Sequence, residues 1–369
     1  MYDYLVVGAG LAGSTVAERL ASQLGATVLV VDKRPHVAGN TYDPVGEDGL
    51  RYHRYGPHIF HTNARHVVDY LSAFTRWRPY EHRVLARVGG ELLPIPINRT
   101  TINKLYGLEL DAAGVARFLA GRAEPAARID NSEQLILSRV GRELYEMFFR
   151  DYTRKQWGLD PAELDASVCG RVPTRTGDDD RYFGDRFQAM PADGFGAMVT
   201  RMLANPRIEV VTGTDFASIA GRASFGHVIY TGPIDEFFGY KLGRLPYRSL
   251  RLVFETHDTE WAQPVACVNE PSPVVAHTRT TEYKHLTGQQ HRKTIVSREY
   301  PVDDGEPYYP IPRPENRELY RRYARLAAAQ RNVTFVGRLA EYKYFNMDQV
   351  VASALAAFDV LARTTAVAS

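Results

Sequence analysis

The stretch from Tyr4 to Asp32 limits what this chain can fold into more than any other. Tyr4-Leu5-Val6-Val7 is an apolar run without alternation, which suits a strand buried on both faces. Gly8-x-Gly10-x-x-Gly13 follows, and its glycines allow a tight turn and let a pyrophosphate approach the backbone. The helical run Ser14 to Ser22 comes next, with free N–H groups at its N-terminus for that phosphate. Thr27 to Asp32 reads as a second buried strand, and Asp32 at its end is placed to accept the ribose hydroxyls of an adenosine. Strand, turn, helix, strand and acid in this order predict a dinucleotide site for NAD(P) or FAD. The basic, then small-residue segment Lys33-Arg34-Pro35-His36-Val37-Ala38-Gly39-Asn40 favours FAD, because in FAD-binding members of this fold it carries the chain past the ribityl and flavin.

The 369 residues suffice for two or three modules. With 45 Lys and Arg against 43 Asp and Glu, no basic excess points to nucleic acid, so any cationic site has to be built from single arginines. Cys169 and Cys267 match no zinc spacing and read as free thiols, in keeping with a reducing cytosol. The first strand begins almost at Met1 and no apolar run is long enough to span a bilayer, so a cytoplasmic protein with no membrane insertion is expected. No repeat or low-complexity linker divides the chain.

Further along, Gly56-Pro57-His58-Ile59-Phe60-His61-Thr62 is a compact segment whose histidines are either structural or lie against the flavin. No carboxylate or cysteine stands at ligand spacing from His53, His58 and His61, so no metal site is expected. Ala64 to Phe74 carries a helical apolar stripe. Tyr80 to Ile97 reads as a hairpin turning at Gly89-Gly90, its second arm pushed to an edge or out of the sheet by Pro94 and Pro96. Thr101 to Leu164 is mostly helical and ends in Phe148-Phe149-Arg150-Asp151-Tyr152-Thr153-Arg154-Lys155-Gln156-Trp157. Interleaved aromatics and cations fit a helix core with snorkelling stems and a base-stacking, phosphate-binding face equally well.

Trp157 to Phe187 reads as a long loop around Arg171-Val172-Pro173-Thr174-Arg175. Gly194 to Leu203 is a predicted helix; Ile208 to Val211 and the run from His227 are predicted strands that rejoin the first sheet. Arg248–Glu255, Val265–Val268, Val274–His277 and Thr294–Ser297 are β-rich, with Arg279 between two of them. Helix Glu315–Gln330, strand Val333–Val336 and a last helix from Gln349 to Ala362 complete the chain.

These strings give the chain a resemblance, nearly end to end, to the UDP-galactopyranose mutase family. It rests on Gly8 to Gly13, Gly56 to Thr62, Tyr152 to Trp157, Arg171 to Arg175, Thr231-Gly232-Pro233-Ile234-Asp235, and Gly337-Arg338-Leu339 with Tyr342 and Tyr344. The resemblance implies an α/β fold: an FAD-binding Rossmann-type domain (1–75, 190–245 and 331–369), an inserted helical domain (98–165, with a mobile loop over 157–181), and an antiparallel β-sheet substrate domain (76–97 and 246–330). It implies an isomerase that interconverts UDP-galactopyranose and UDP-galactofuranose, supplying galactofuranose for cell-surface glycans. In that chemistry N5 of reduced FAD forms an adduct with the anomeric carbon, which opens as an iminium and recloses through the other ring oxygen.

Carried over by motif position, Arg175 and Arg279 clamp the diphosphate with Tyr309 and Tyr344, and His61 joins them as a catalytic residue. Phe148, Phe149 and Tyr152 hold the nucleoside, and Trp157 borders the sugar pocket. Gly8, Gly10, Leu11, Gly13, Asp32, Lys33, Asn40, His58, Arg338 and Met347 fall to FAD. Where the family usually has an acid, in Tyr-x-Asp-Met, this chain has Asn346, which removes a charge from the substrate site and leaves the sugar open; Ala38 replaces a common glycine. The resemblance also implies a UDP-sugar substrate, an external reductant such as NAD(P)H and a homodimer. The rival readings are a mutase for another nucleotide sugar, a flavin amine oxidase, and a non-enzymatic nucleotide-sugar or FAD-binding regulatory module.

Overall fold

Five strands of the computed structural model, which describes residues 2–219 and 225–368, form one parallel sheet in the order Val333–Phe335, Phe225–Tyr230, Tyr2–Val7, Val28–Asp32, Ile208–Thr212. Every residue of Val28–Asp32 is buried, which accounts for its unbroken apolar run. The helix Leu11–Leu24 connects Tyr2–Val7 to its parallel neighbour Val28–Asp32. Gly13 permits its close approach: a Cβ there would lie 1.9 Å from the carbonyl oxygen of Gly8. Gly8, at φ +104°, turns the chain where a Cβ would strike the Thr231 hydroxyl. The last helix, Met347–Ala368, packs on the first through buried Val351, Ala354 and Phe358. It begins two residues before the expected start. Met1, 220–224 and Ser369, assigned from sequence to the FAD-binding part, lie outside the described residues.

A second sheet has seven strands, in the order Tyr309–Pro310, Tyr247–His257, Thr294–Val302, Arg279–Glu282, Cys267–Asn269, Val84–Val88, Glu91–Ile95. It is antiparallel apart from the pairing of Cys267–Asn269 with Val84–Val88. The hairpin turns at Gly89-Gly90, and Glu91–Ile95, carrying Pro94, forms the edge. A third sheet of Phe60–Thr62, Phe187–Pro191 and Trp77–Pro79 joins segments far apart in sequence, through strands too short to show a period.

Helices Arg99–Tyr106, Ala112–Ala120 and Ser132–Tyr145 are N-capped by the side chains of Asn98, Asp111 and Asn131. A π-helical turn, Glu146–Arg150, joins the third of these to Asp151–Trp157 and leaves Phe148 and Phe149 buried.

Val274–His277 is not a strand: it belongs to a turn with Val274 91% exposed, because the chain wraps its carbonyls around Lys155. Arg279 therefore does not lie between strands but begins one, opposite Glu299 on one side and Asn269 on the other. The expected loop from Trp157 holds helical turns at Pro161–Glu163 and Ser167–Gly170, and the strand Phe187–Pro191 starts where it ends.

Replacing Gly13 with Ala pushes the first helix off the strand end that its N-terminus must meet. The expected result is a chain destabilised by about 1–3 kcal/mol that purifies without dinucleotide, read from its melting temperature and visible absorbance.

Candidate active site

One cavity of about 1050 Å³ runs from the end of the parallel sheet to the helical block. Pockets for single small molecules span roughly 300–1,000 Å³, so this one suits a ligand as large as a dinucleotide, and its lining continues past the dinucleotide turn to the helical block. Among its lining residues are all the site residues expected from sequence except Gly13, which lies beneath the turn.

At the sheet end, Asp32 accepts from the backbone N–H of Ala9 (2.8 Å) and of Arg34 (2.9 Å), which leaves lone pairs on both oxygens for ribose hydroxyls. No side chain caps the helix that begins at Leu11, and its first turn holds no acid, so its N–H groups remain available to a pyrophosphate. Gly10 and Gly39 bring two turns together, where a Cβ on Gly39 would come 3.0 Å from the Gly10 Cα. Lys33 borders the same rim, and Arg34 spans Asn40 (2.9 Å) and Glu306 (3.0 Å) with its guanidinium over the Tyr55 ring. Ala38 adopts φ +71°, the left-handed region that a glycine enters without strain. These features fit the adenosine diphosphate half of a dinucleotide cofactor.

Deeper in, His58 bonds through Nδ1 to the Gly56 carbonyl (2.8 Å), and its backbone N–H donates to His53. Burial, reinforced by Arg338, Arg279 and Arg34 against the Gly56 bond, lowers the His58 pKa to about 4. The ring is therefore neutral at physiological pH and keeps Nε2 free as an acceptor. Met347 and the start of the last helix close this end, and burial depresses the pKa of the Arg338 guanidinium nearby.

At the far end Trp157, Tyr309 and Tyr344 form a triangle with ring centroids 5.2–6.1 Å apart. Arg279 donates to Glu299 (3.1 Å); its Nε and the second Glu299 oxygen are buried without partners. Burial opposes the Arg279 charge, but Glu299 together with Tyr152, Tyr309 and Cys267 outweighs it and the pKa rises. Burial raises the hydroxyl pKa of Tyr152 and Tyr309, which stay protonated as donors.

The two loop arginines differ. Arg175 donates through Nη1 to the carbonyls of Asp179 (3.0 Å) and Arg181, beside the Asp179 carboxylate. Arg171, exposed, lies 3.7 Å above the Tyr344 ring and donates to the Tyr344 carbonyl (2.6 Å). His61 binds Asp185 at 2.6 Å and stacks on Phe183, which ties the Gly56–Thr62 segment to the end of the 171–185 stretch.

Sequence reading gave no role to Gln156, Glu299, Asp185 or Arg171. Gln156 stands four residues after Tyr152 on one helix face, a spacing that points it to the same side, and its Oε1 is buried without a partner at the cavity wall. Glu299 faces Arg279 through strand register, which a sequence does not display. Among the described residues no acidic, histidine or cysteine cluster could hold a metal, and no helix is long and apolar enough to cross a membrane.

A family model described as UDP-galactopyranose mutase matches residues 147–344, and an NAD(P)-binding Rossmann-like domain model matches 6–74. The chain is 37% identical to a probable UDP-galactopyranose mutase of Klebsiella pneumoniae, over 97% of this chain and 94% of that one. It is 33% identical to dTDP-fucopyranose mutase of Escherichia coli, over 96% and 97%. Its fold superposes on a crystal structure of reduced UDP-galactopyranose mutase with a TM-score of 0.80 at 16% identity, covering 99% of this chain and 96% of the other. With the Rossmann turn, the arginine-flanked aromatic triangle and the family match in place, the chain belongs to the UDP-galactopyranose mutase family.

Proposed function

We propose that this isomerase interconverts UDP-galactopyranose and UDP-galactofuranose with bound, reduced FAD. The observation that carries the reading is the placing of two arginines, Arg171 and Arg279, beside the Trp157, Tyr309 and Tyr344 rings in the cavity that also holds the dinucleotide turn. When bound and reduced, the flavin supplies a nucleophilic ring nitrogen to the sugar. External NAD(P)H provides the reduction.

The chain's own residues bind, orient and stabilise. Gln156 Oε1 accepts from the N3–H of the pyrimidine, which satisfies the unpartnered acceptor, while Phe148, Phe149 and Tyr152 enclose the ring. Arg279 and Arg171 stabilise the charge that develops as the diphosphate departs, and the protonated Tyr309 hydroxyl donates to it. Because Arg175 is engaged by its own loop, the clamping role expected for it passes to Arg171, and Arg175 holds the loop's shape. His61 anchors that loop through Asp185. Trp157 excludes water from the sugar, His58 presents a neutral ring to the flavin, and the positive end of the last helix favours an anionic flavin by about 0.3–1 kcal/mol.

A second reading, a mutase for another nucleotide sugar, draws on Asn346, which lines the cavity where the family usually has an acid, and on the dTDP-fucopyranose mutase relative. Turnover of UDP-galactofuranose and dTDP-fucofuranose by dithionite-reduced and oxidised protein separates the readings. Conversion of the UDP sugar only by reduced protein is expected; preference for the dTDP sugar moves the assignment to the second reading, and conversion of neither refutes both. Arg279→Ala and Arg171→Ala lower kcat on the order of 10²–10³-fold with flavin retained. Arg175→Ala acts mainly through KM. Equal loss of kcat in Arg175→Ala and Arg171→Ala, measured by the same chromatographic assay, contradicts this division of roles.

A further inference from the structure

The segment between Asn269 and Arg279 closes on itself through Glu270 N–H to Thr278 O (2.8 Å), and Asn269 and Arg279 pair at its base. Its apex has no apolar anchor: Ser272, Pro273, Val274 and Ala276 are exposed. What fills it is one side chain from another element. Lys155 Nζ donates to the carbonyls of Ser272 (2.9 Å), Val275 (2.9 Å), His277 (3.0 Å) and Glu270. An ammonium has three N–H bonds, so four converging carbonyls share them, and their negative ends repel one another without a cation between them.

The ammonium is held mainly by these neutral dipoles. Burial lowers its pKa to about 8, with Glu270 and Asp151 acting in the opposite direction, and the Glu270 carboxylate is itself engaged by Arg87 at 3.0 Å. Lys155 belongs to the helix Asp151–Trp157, whose Tyr152, Gln156 and Trp157 line the cavity. The enclosed segment leads directly into Arg279.

We propose that Lys155 is a positioning residue whose carbonyl-caged ammonium sets the spacing between the helix that grips the nucleoside and the arginine that grips the diphosphate. The proposal rests on the nucleotide-sugar reading of the site. Lys155 is not among the residues that line the cavity; it acts by fixing the loop before Arg279 against the helix. Replacing it with a neutral side chain leaves four facing carbonyls, the loop relaxes outward, and Arg279 moves away from Gln156 and Tyr152.

UDP binding by titration calorimetry, steady-state turnover and flavin content are measured for wild type, Lys155→Ala and Lys155→Met. The expected result is full flavin content, a UDP Kd raised on the order of 10- to 100-fold in both variants, and a KM that rises more than kcat falls. Ethylammonium chloride restores UDP affinity to Lys155→Ala saturably, because it returns an N–H donating cation to the cage. Tetramethylammonium chloride at the same ionic strength, which has no N–H, does not. An unchanged UDP Kd in either variant, no restoration by ethylammonium, or loss of flavin from both variants overturns the proposal, the last by showing that the ammonium holds the fold. A wild-type chain that fails to bind UDP overturns the reading of the site and the proposal with it.

Discussion

The contact on which the site depends is the pairing of Arg279 with Glu299. Taking a guanidinium out of water costs free energy that a carboxylate beside it offsets, and a single bond of 3.1 Å supplies that while leaving Arg279 Nε and one Glu299 oxygen without partners. A half-buried arginine and a buried carboxylate whose enclosed atoms lack partners cost free energy in the resting chain. A diphosphate offers acceptors to such an arginine, so the cost in the resting chain becomes preorganised stabilisation when the nucleotide binds. Strand register fixes the pair: Glu299 stands opposite Arg279 because Thr294–Val302 and Arg279–Glu282 are neighbours in the seven-stranded sheet.

From that pair the rest of the site follows as a partition of cations. Arg34 bonds to Asn40 and Glu306, and Arg175 spends Nη1 on the carbonyls and carboxylate of its own loop. Lys155 is enclosed by four carbonyls. Arg171, stacked on Tyr344 at the mouth, is held by one carbonyl and a ring and retains donors for a ligand. The near neutrality of the whole chain, 45 basic against 43 acidic residues, conceals this local arrangement.

The dinucleotide half of the site was legible because its chemistry is local. Gly8, Gly10, Gly13 and Asp32 fall within one strand-turn-helix-strand unit, where spacing alone dictates geometry. The hairpin at Gly89-Gly90 and the edge placement of Pro94 were legible for the same reason. The other half of the cavity is assembled from partners far apart in sequence, so motif position names residues that line it without giving their contacts. Arg171 and Arg175 are four residues apart in one string and both line the cavity, and only tertiary contacts show that one stacks on Tyr344 while the other bonds to its own loop. The carbonyls that bend Val274–His277 out of a strand belong to a cage whose lysine lies more than a hundred residues away, so a local β signal there had no means of registering it.

The central claim is that a nucleoside diphosphate and a dinucleotide lie side by side in one cavity, with Arg279 gripping the former. The most direct test is the absorbance difference spectrum of the bound flavin as UDP is added to wild type and to Arg279→Ala. A saturable perturbation in wild type, competed by UDP-galactose and strongly weakened in Arg279→Ala, is the predicted result. A flavin spectrum indifferent to UDP but bleached by a simple amine would contradict the account and place the chain with amine-oxidising flavoproteins.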